Sequence, residues 1–204
     1  TLVPAAFFDD SLAGDYLQYN HYADVRSDIF RDYIDGIEAY NVFSVPVYIT
    51  DIFGKAFKGV SFVHHSTPFI CNALLSGGNS GGMTVHAGIN SGFMDIAVLN
   101  GSKLELYNNF HYSGEADMLY YTLYIYKQMS LDIEKTPLYI SGEMSRKLSF
   151  TEILRQNITS VLQGTSGNKF RMSPELNSVN PNKYLNLLSL FNCESQEENT
   201  KAGR

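Results

Sequence analysis

Apolar positions along this chain recur at every second residue in some stretches and at every third or fourth in others. The switches between the two periods mark a succession of strands and helices. The clearest stretch runs from Met83 to Tyr112. Met83 to Ala87 alternates, Phe93 to Leu99 is nearly all apolar, and Lys103 to Tyr112 places Leu104, Leu106 and Phe110 on one face. This predicts three consecutive strands, the middle one buried on both faces. Gly88 to Gly92 (GINSG) predicts the turn between the first two, and Asn100-Gly101 a two-residue hairpin turn between the second and third. Ser113 then caps a helix to about Met129, with Met118, Tyr121, Thr122, Ile125 and Met129 along its inner stripe. Leu138 to Ser141 reads as a short strand. Ser149 and Glu152 form a capping-box start to another helix. Ile158 to Leu162 reads as a last strand, and Asn180-Pro181 opens a final helix with Leu185, Leu188 and Phe191 as core.

The first part of the chain is patterned less sharply. Thr1 to Pro4 reads as the end of a strand. Asp9, Asp10 and Ser11 cap a helix running to about Tyr19, with Leu12, Tyr16 and Tyr19 on one face. Val25 to Ile34 and Tyr40 to Val45 read as strands, the second stopped by Pro46. Ile49, Ile52, Phe53, Ala56 and Phe57 fall at helical spacing, and Gly59 ends that helix. Val60 to His65 alternates as a strand. Ser66-Thr67-Pro68 then starts a helix to about Leu75, with Ser66 as N-cap and the proline in the first turn. The loop SGGNSGG, from Ser76 to Gly82, is the one linker-like stretch, and it divides the chain in two.

Composition adds bounds. The chain has 204 residues, 44% of them hydrophobic and 18% charged, which suits an ordinary packed core. A net charge of -6 and a pI near 5.3 supply no basic stripe, which argues against a nucleic-acid partner. No apolar run approaches the roughly 18 residues of a membrane span. Cys71 and Cys193 stand at no metal or redox spacing and read as free thiols of a reducing cytoplasm. The polar stretch Ser195 to Arg204 reads as a frayed tail.

Several side-chain groups invite a chemical reading. His64 and His65 would point to opposite faces of a strand and could not chelate one ion together. SGGNSGG lacks the Gly-Lys-Ser/Thr ending of a phosphate loop and joins a helix to a strand, so it reads as a linker. GINSG is a better anion candidate. A turn between antiparallel strands exposes backbone N–H groups, with Asn90 and Ser91 as added donors. A plain hairpin with glycines at positive φ is the simpler reading. Tyr120, Tyr121, Tyr124 and Tyr126 crowd one helix, and either packing or an interaction surface explains them. No nucleophile-elbow motif appears, no carboxylate pair is singled out, and no metal-ligand set is found. No catalytic residue is assigned.

The segments LVPAAFFDD, YNVFSVP, SFVHHSTPFICNALL, FMDIAVLNGSKLELYNNFHY and PLYISGE, in this order, resemble an uncharacterised bacterial family of unknown function. That family has an actin-like ATPase fold, near the pilus-assembly protein M and the cell-division protein A. The resemblance covers roughly Leu2 to Cys193. It implies an α/β protein with mixed sheets, built as two ribonuclease-H-like lobes, the first incomplete because its opening strands precede Thr1. Residues 1–76 are then the remainder of the first lobe, 77–82 the linker, 83–194 the second lobe and 195–204 the tail.

The resemblance also bears on function. In this fold an Asp-x-Gly turn lies between the first two strands of the second lobe, and a Gly-Gly turn follows the lone strand. Gly88 matches the first glycine while His86 stands in the aspartate's place. Gly142 matches one glycine of the second turn while Glu143 replaces the other. The expected function is therefore a non-catalytic cytoplasmic scaffold or regulator that binds another protein, with self-association as an option and neither metal nor cofactor. The first alternative is an ATPase that holds ATP and Mg through Gly88, Asn90, Ser91, Gly92 and Gly142. The second is a small-metabolite kinase of the same superfamily.

Overall fold

The computed structural model describes residues 1–20, 26–77, 81–143, 148–165, 173 and 179–191. The chain forms two compact units, Thr1–Thr67 and Pro68–Arg204. The expected division at 76–77 falls at the far end of the helix that follows this break.

The first unit holds β1 (Leu2–Pro4), α1 (Ala13–Asn20), β2 (Ser27–Ile34), β3 (Ala39–Pro46) and α2 (Val47–Ala56). The strands form an antiparallel sheet of order β1-β3-β2. Alternation along β3 sends Tyr40 and Val42 to one face and Asn41 and Phe43 to the other. On the first face Val3, Leu17 and Val42 form a small core, and the Phe8 ring stacks on Tyr40 at 4.1 Å. On the second, Phe30 packs between Phe43 and Phe62, at 5.8 and 5.2 Å.

Two expectations fail here. Leu17 is the buried residue of α1, while Tyr19 is 89% exposed and Leu12 also points outward. Short 3-10 turns at Ala5–Phe7 and Asp10–Leu12 delay the helix, so its inner face is set from Ala13 onward. Residues 60–64 form no strand either, despite their alternation. Phe62 and His64 pack on Phe30 of β2 and Phe43 of β3, and the His64 N–H donates to the Asp32 carboxylate at 2.8 Å instead of entering a ladder. Without strand geometry the His64 and His65 rings lie together, 4.4 Å apart, rather than on opposite faces.

The second unit opens within α3 (Ser66–Gly77), which begins at the expected residue. It continues through β4 (Met83–Asn90), β5 (Phe93–Asn100), β6 (Lys103–His111), α4 (Glu115–Gln128), β7 (Leu138–Gly142), α5 (Leu148–Asn157) and β8 (Val161–Gln163). The five strands form one mixed sheet of order β6-β5-β4-β7-β8. The β4–β5 and β5–β6 pairs are antiparallel, while β4–β7 and β7–β8 are parallel. A meander followed by two helical crossovers is the ribonuclease-H-like arrangement expected from the sequence.

One face of this sheet is apolar. Val85, Ala87, Ile89, Met94, Ile96, Val98, Leu138 and Ile140 share a core with Met118, Ile125 and Tyr126 of α4 and Phe150 and Leu154 of α5. The other face carries α3. Phe69 lies against Gly88 and near Tyr107, and Gly77 lies against Leu99, Thr84 and His86.

The boundaries differ from expectation in instructive ways. β4 extends through Gly88 to Asn90, so only Ser91 and Gly92 turn, because Gly88 is held in the ladder by Asp95 on one side and Ser141 on the other. The β5–β6 turn is Gly101-Ser102, since Asn100 still pairs with Lys103. β8 begins at Val161, because the Ile158 N–H closes the end of α5 by donating to the Leu154 carbonyl. The last helical stretch, 185–191, buries Leu185 but leaves Phe191 62% exposed. The side chain of Ser149, residues 78–80 of the linker, Cys193 and the expected tail lie outside the described residues.

Candidate functional site

Parallel pairing of β4 with β7 brings the expected site residues to one end of the sheet. Gly88 is paired with Ser141 and Ile89 with Gly142. Asn90 ends β4, and the exposed Ser91-Gly92 turn follows it. The structure thus gathers Gly88, Asn90, Ser91, Gly92 and Gly142 into one neighbourhood and shows what occupies it.

Two of the glycines are required by close approach. A Cβ on Gly88 would lie 2.8 Å from the Phe69 ring. Gly142 has φ +95°, and a Cβ there would lie 2.0 Å from the Ile89 carbonyl oxygen. Only glycine reaches that conformation without strain, and only glycine lets β4 and β7 run this close. Gly92, at φ +82°, serves the hairpin turn, and its carbonyl accepts from the Tyr112 N–H at 3.1 Å.

The polar groups of this neighbourhood are bound to one another. Asp95 of β5 sits directly across from Gly88 and is fully buried. Its Oδ1 accepts from the Tyr107 hydroxyl at 2.6 Å and from Asn109 Nδ2 at 2.9 Å, and its Oδ2 accepts from Asn90 Nδ2 at 3.3 Å. A buried carboxylate requires such donors, since desolvation without them costs many kcal/mol. The Asn90 carbonyl in turn accepts from the Tyr112 hydroxyl at 2.5 Å. Asn90 thus has one bond from its side-chain amide and its main-chain carbonyl engaged within this network. The sequence reading passed over Asp95, which stands inside an apolar run. Its signal was that single charge in a strand otherwise buried on both faces.

His86 and Glu143, the two departures from the fold's usual nucleotide residues, are placed differently. His86 lies under α3, stacked on Tyr139 at 4.9 Å, with Nε2 3.2 Å from Thr84 Oγ1. Burial pushes its pKa down to about 4, so the imidazole is neutral near pH 7. It is a packing residue of the sheet face. Glu143 follows Gly142 and is exposed.

A second polar cluster lies in the first unit. Asp32 Oδ2 accepts from the His64 N–H and from Thr67 Oγ1 at 2.6 Å, while Asn41 Nδ2 donates to Ser66 Oγ and Thr67 Oγ1. His64 Nδ1 and Ser66 Oγ are 2.7 Å apart. The backbone donors at the start of α3 go to His64: the Ser66 N–H donates to its Nδ1 at 3.3 Å and the Thr67 N–H to its carbonyl at 2.9 Å, which is a capping role. Among the described residues no three His, Cys, Asp or Glu side chains gather as a metal site, and no helix is long and apolar enough to cross a membrane. On α4, Tyr126 is buried and donates to the Thr136 carbonyl at 3.0 Å, whereas Tyr120 and Tyr124 are exposed.

Comparison with known proteins agrees with this architecture. The family model described as "Protein of unknown function (DUF3822)" matches residues 1–161. A crystal structure from Bacteroides thetaiotaomicron, described as a protein with actin-like ATPase fold and unknown function, is 20% identical over 95% of this chain and 69% of that one, with a TM-score of 0.79. The structure of a PilM–PilN type IV pilus biogenesis complex is 10% identical over 93% of this chain and 74% of that one, with a TM-score of 0.63. No curated protein matches this chain. The actin-like ATPase fold expected from the sequence is thus the fold of this chain.

Proposed function

We propose, for a chain that belongs to the DUF3822 family of proteins of unknown function, the role of a non-catalytic scaffold or regulator built on an actin-like fold. One observation carries this reading. At the end of β4 the ring of Phe69 covers Gly88, and behind it the Asp95 carboxylate is held by Tyr107, Asn109 and Asn90. A polyphosphate brought here would meet an aromatic ring and a buried anion, and like charges juxtaposed without solvent cost several kcal/mol. Fold alone does not assign an activity.

In this reading the chain acts in the cytoplasm through a protein partner. The described protein complex of the fold relative PilM supports that class of role. The exposed Tyr120 and Tyr124, whose rings stack 6.0 Å apart on α4, offer a surface of the kind enriched at interfaces.

The alternative is a nucleotide-binding ATPase. The exposed Ser91-Gly92 turn favours it, because its backbone N–H groups could meet a phosphate. Gly88, Asn90 and Gly142 would complete that site. Equilibrium dialysis with labelled ATP and Mg separates the readings. The scaffold reading predicts no retention at millimolar nucleotide, and saturable retention overturns it.

A further inference from the structure

We propose that the cavity beside α5, β7 and β8 binds a small aliphatic monocarboxylate, a free acid held by Arg155. The cavity lies within the second unit. Its floor is Ile140 of β7 and Val161 of β8, which share the core with Phe150 and Leu154 of α5. It therefore opens on the α5 face of the sheet, opposite the face that carries α3. Its walls are polar: Arg155 and Thr151 come from α5, Gln163 from β8, and Asn180 from the segment before the last helical stretch. Arg155 is exposed, and among the described residues it pairs with no carboxylate, Glu152 one turn earlier included. One rim of the cavity is fixed. Asn182 Nδ2 donates to the Ile140 carbonyl at 3.2 Å and to the Gly164 carbonyl at 2.7 Å, and the Asn182 N–H donates to Asn180 Oδ1 at 3.0 Å. That last bond engages the acceptor end of the Asn180 amide, so Nδ2 is the end left to donate to a ligand.

The chemistry of the lining selects the ligand. A guanidinium presents paired N–H donors that match the two oxygens of a carboxylate. Thr151, Gln163 and Asn180 add neutral donors, so the lining carries one formal charge and suits a monoanion. A phosphate dianion is disfavoured further, because Arg155 stands in the last turn of α5, where the helix dipole is negative. The cavity encloses about 60 Å³. One water needs roughly 10–15 Å³, so the space admits about four or five heavy atoms. That is the size of acetate or propionate, with the methyl end on Ile140 and Val161. A carboxylate at the end of a peptide shares this chemistry, but the small volume favours a free acid. The site goes beyond the scaffold reading and stands or falls separately, because its test contains neither nucleotide nor a foreign protein.

Two-dimensional ¹H–¹⁵N NMR of the full chain, titrated with sodium acetate or sodium propionate at neutral pH and constant ionic strength, provides the test. Saturable shifts are expected at the side-chain amides of Gln163 and Asn180 and at the backbone amides of residues 161–164. Propionate should bind about threefold more tightly than acetate, from one added methylene on the apolar floor. Arg155→Gln removes the charge and the fork, and should weaken propionate by about tenfold or more. That change lies on an exposed side chain, and the variant's own spectrum checks that it is folded. Propionate that gives no saturable shift at these residues overturns the proposal, as does binding indifferent to Arg155→Gln. Inorganic phosphate that binds as tightly as propionate overturns the monocarboxylate assignment. An acetylated tripeptide with a free C-terminal carboxylate that binds more tightly than propionate overturns the free acid as the source.

Discussion

The Phe69 ring rests against the backbone of Gly88, so close that a Cβ on Gly88 would lie 2.8 Å from Cε2 and 3.0 Å from Cδ2. Phe69 is itself buried and cannot swing away freely. Gly88→Ala is expected to cost about 1–3 kcal/mol through overpacking. In a Phe69→Ala background the same change should cost less, because the opposing atoms are gone. A double-mutant cycle by urea unfolding should therefore return a coupling energy of about 0.5–3 kcal/mol.

Gly142→Ala should be far more damaging. Its new Cβ would meet the Ile89 carbonyl oxygen at 2.0 Å, and the residue would be strained at φ +95°. Backbone cannot yield as a side chain can, so the parallel β4–β7 pairing must open. A loss of about 4 kcal/mol or more is expected, in the range reserved for gross disruption. Urea midpoints, or the soluble yield if the variant does not fold, measure it.

Asp95 tests the polar end of the sheet. Tyr107→Phe removes the donor that lies 2.6 Å from Oδ1 and leaves a buried carboxylate with one fewer hydrogen bond. The expected cost is about 1.5–3 kcal/mol, the usual worth of a hydrogen bond to a charged group. Asp95→Asn places an amide N–H₂ among groups that already donate, and should cost at least as much. Both are read by urea unfolding at neutral pH.

His86 gives a pH dependence of definite sign. Its pKa is about 4 in the folded chain, pushed down by burial, against an ordinary value of 6.5. Between those values the unfolded chain binds a proton that the folded chain does not. Stability is therefore highest above pH 6.5 and falls as the pH drops toward 4, by up to about 1.4 kcal/mol per pH unit from this group. His86→Gln removes that contribution. The difference between wild type and variant in unfolding free energy should change over pH 4 to 6.5 and level off above it.

The second unit was legible in the sequence because its elements are local and strongly patterned. The apolar run Phe93 to Leu99, bounded by turn signals, reads as a buried strand, and Ser66-Thr67-Pro68 carries the signals of a helix start. Residues 60–64 misled because alternation reports which side chains are buried, not whether the backbone has a strand partner. Phe62 and His64 do point inward, onto Phe30 and Phe43, but no ladder forms. Gly88 and Gly142 were singled out through the resemblance, and Asn90, Ser91 and Gly92 through the turn between two strands; of the three glycines only Gly92 and Gly142 have positive φ. Asp95 and Phe69 were missed because their roles depend on partners from other elements. Tyr107 and Asn109 lie on the next strand, and Gly88 lies on β4 beneath Phe69 of α3. Single-sequence patterning carries no such register.

The measurement that bears most directly on the scaffold reading is thermal unfolding of the protein with and without millimolar Mg-ATP. A ligand held at about 100 times its dissociation constant adds roughly 2.7 kcal/mol. For a chain of this size that corresponds to a rise in Tm of roughly 5–10 °C. With Phe69 over Gly88 and Asp95 behind it, the expected result is no rise. A clear upward shift that saturates with nucleotide would contradict the scaffold reading and make this chain a nucleotide-binding member of its fold.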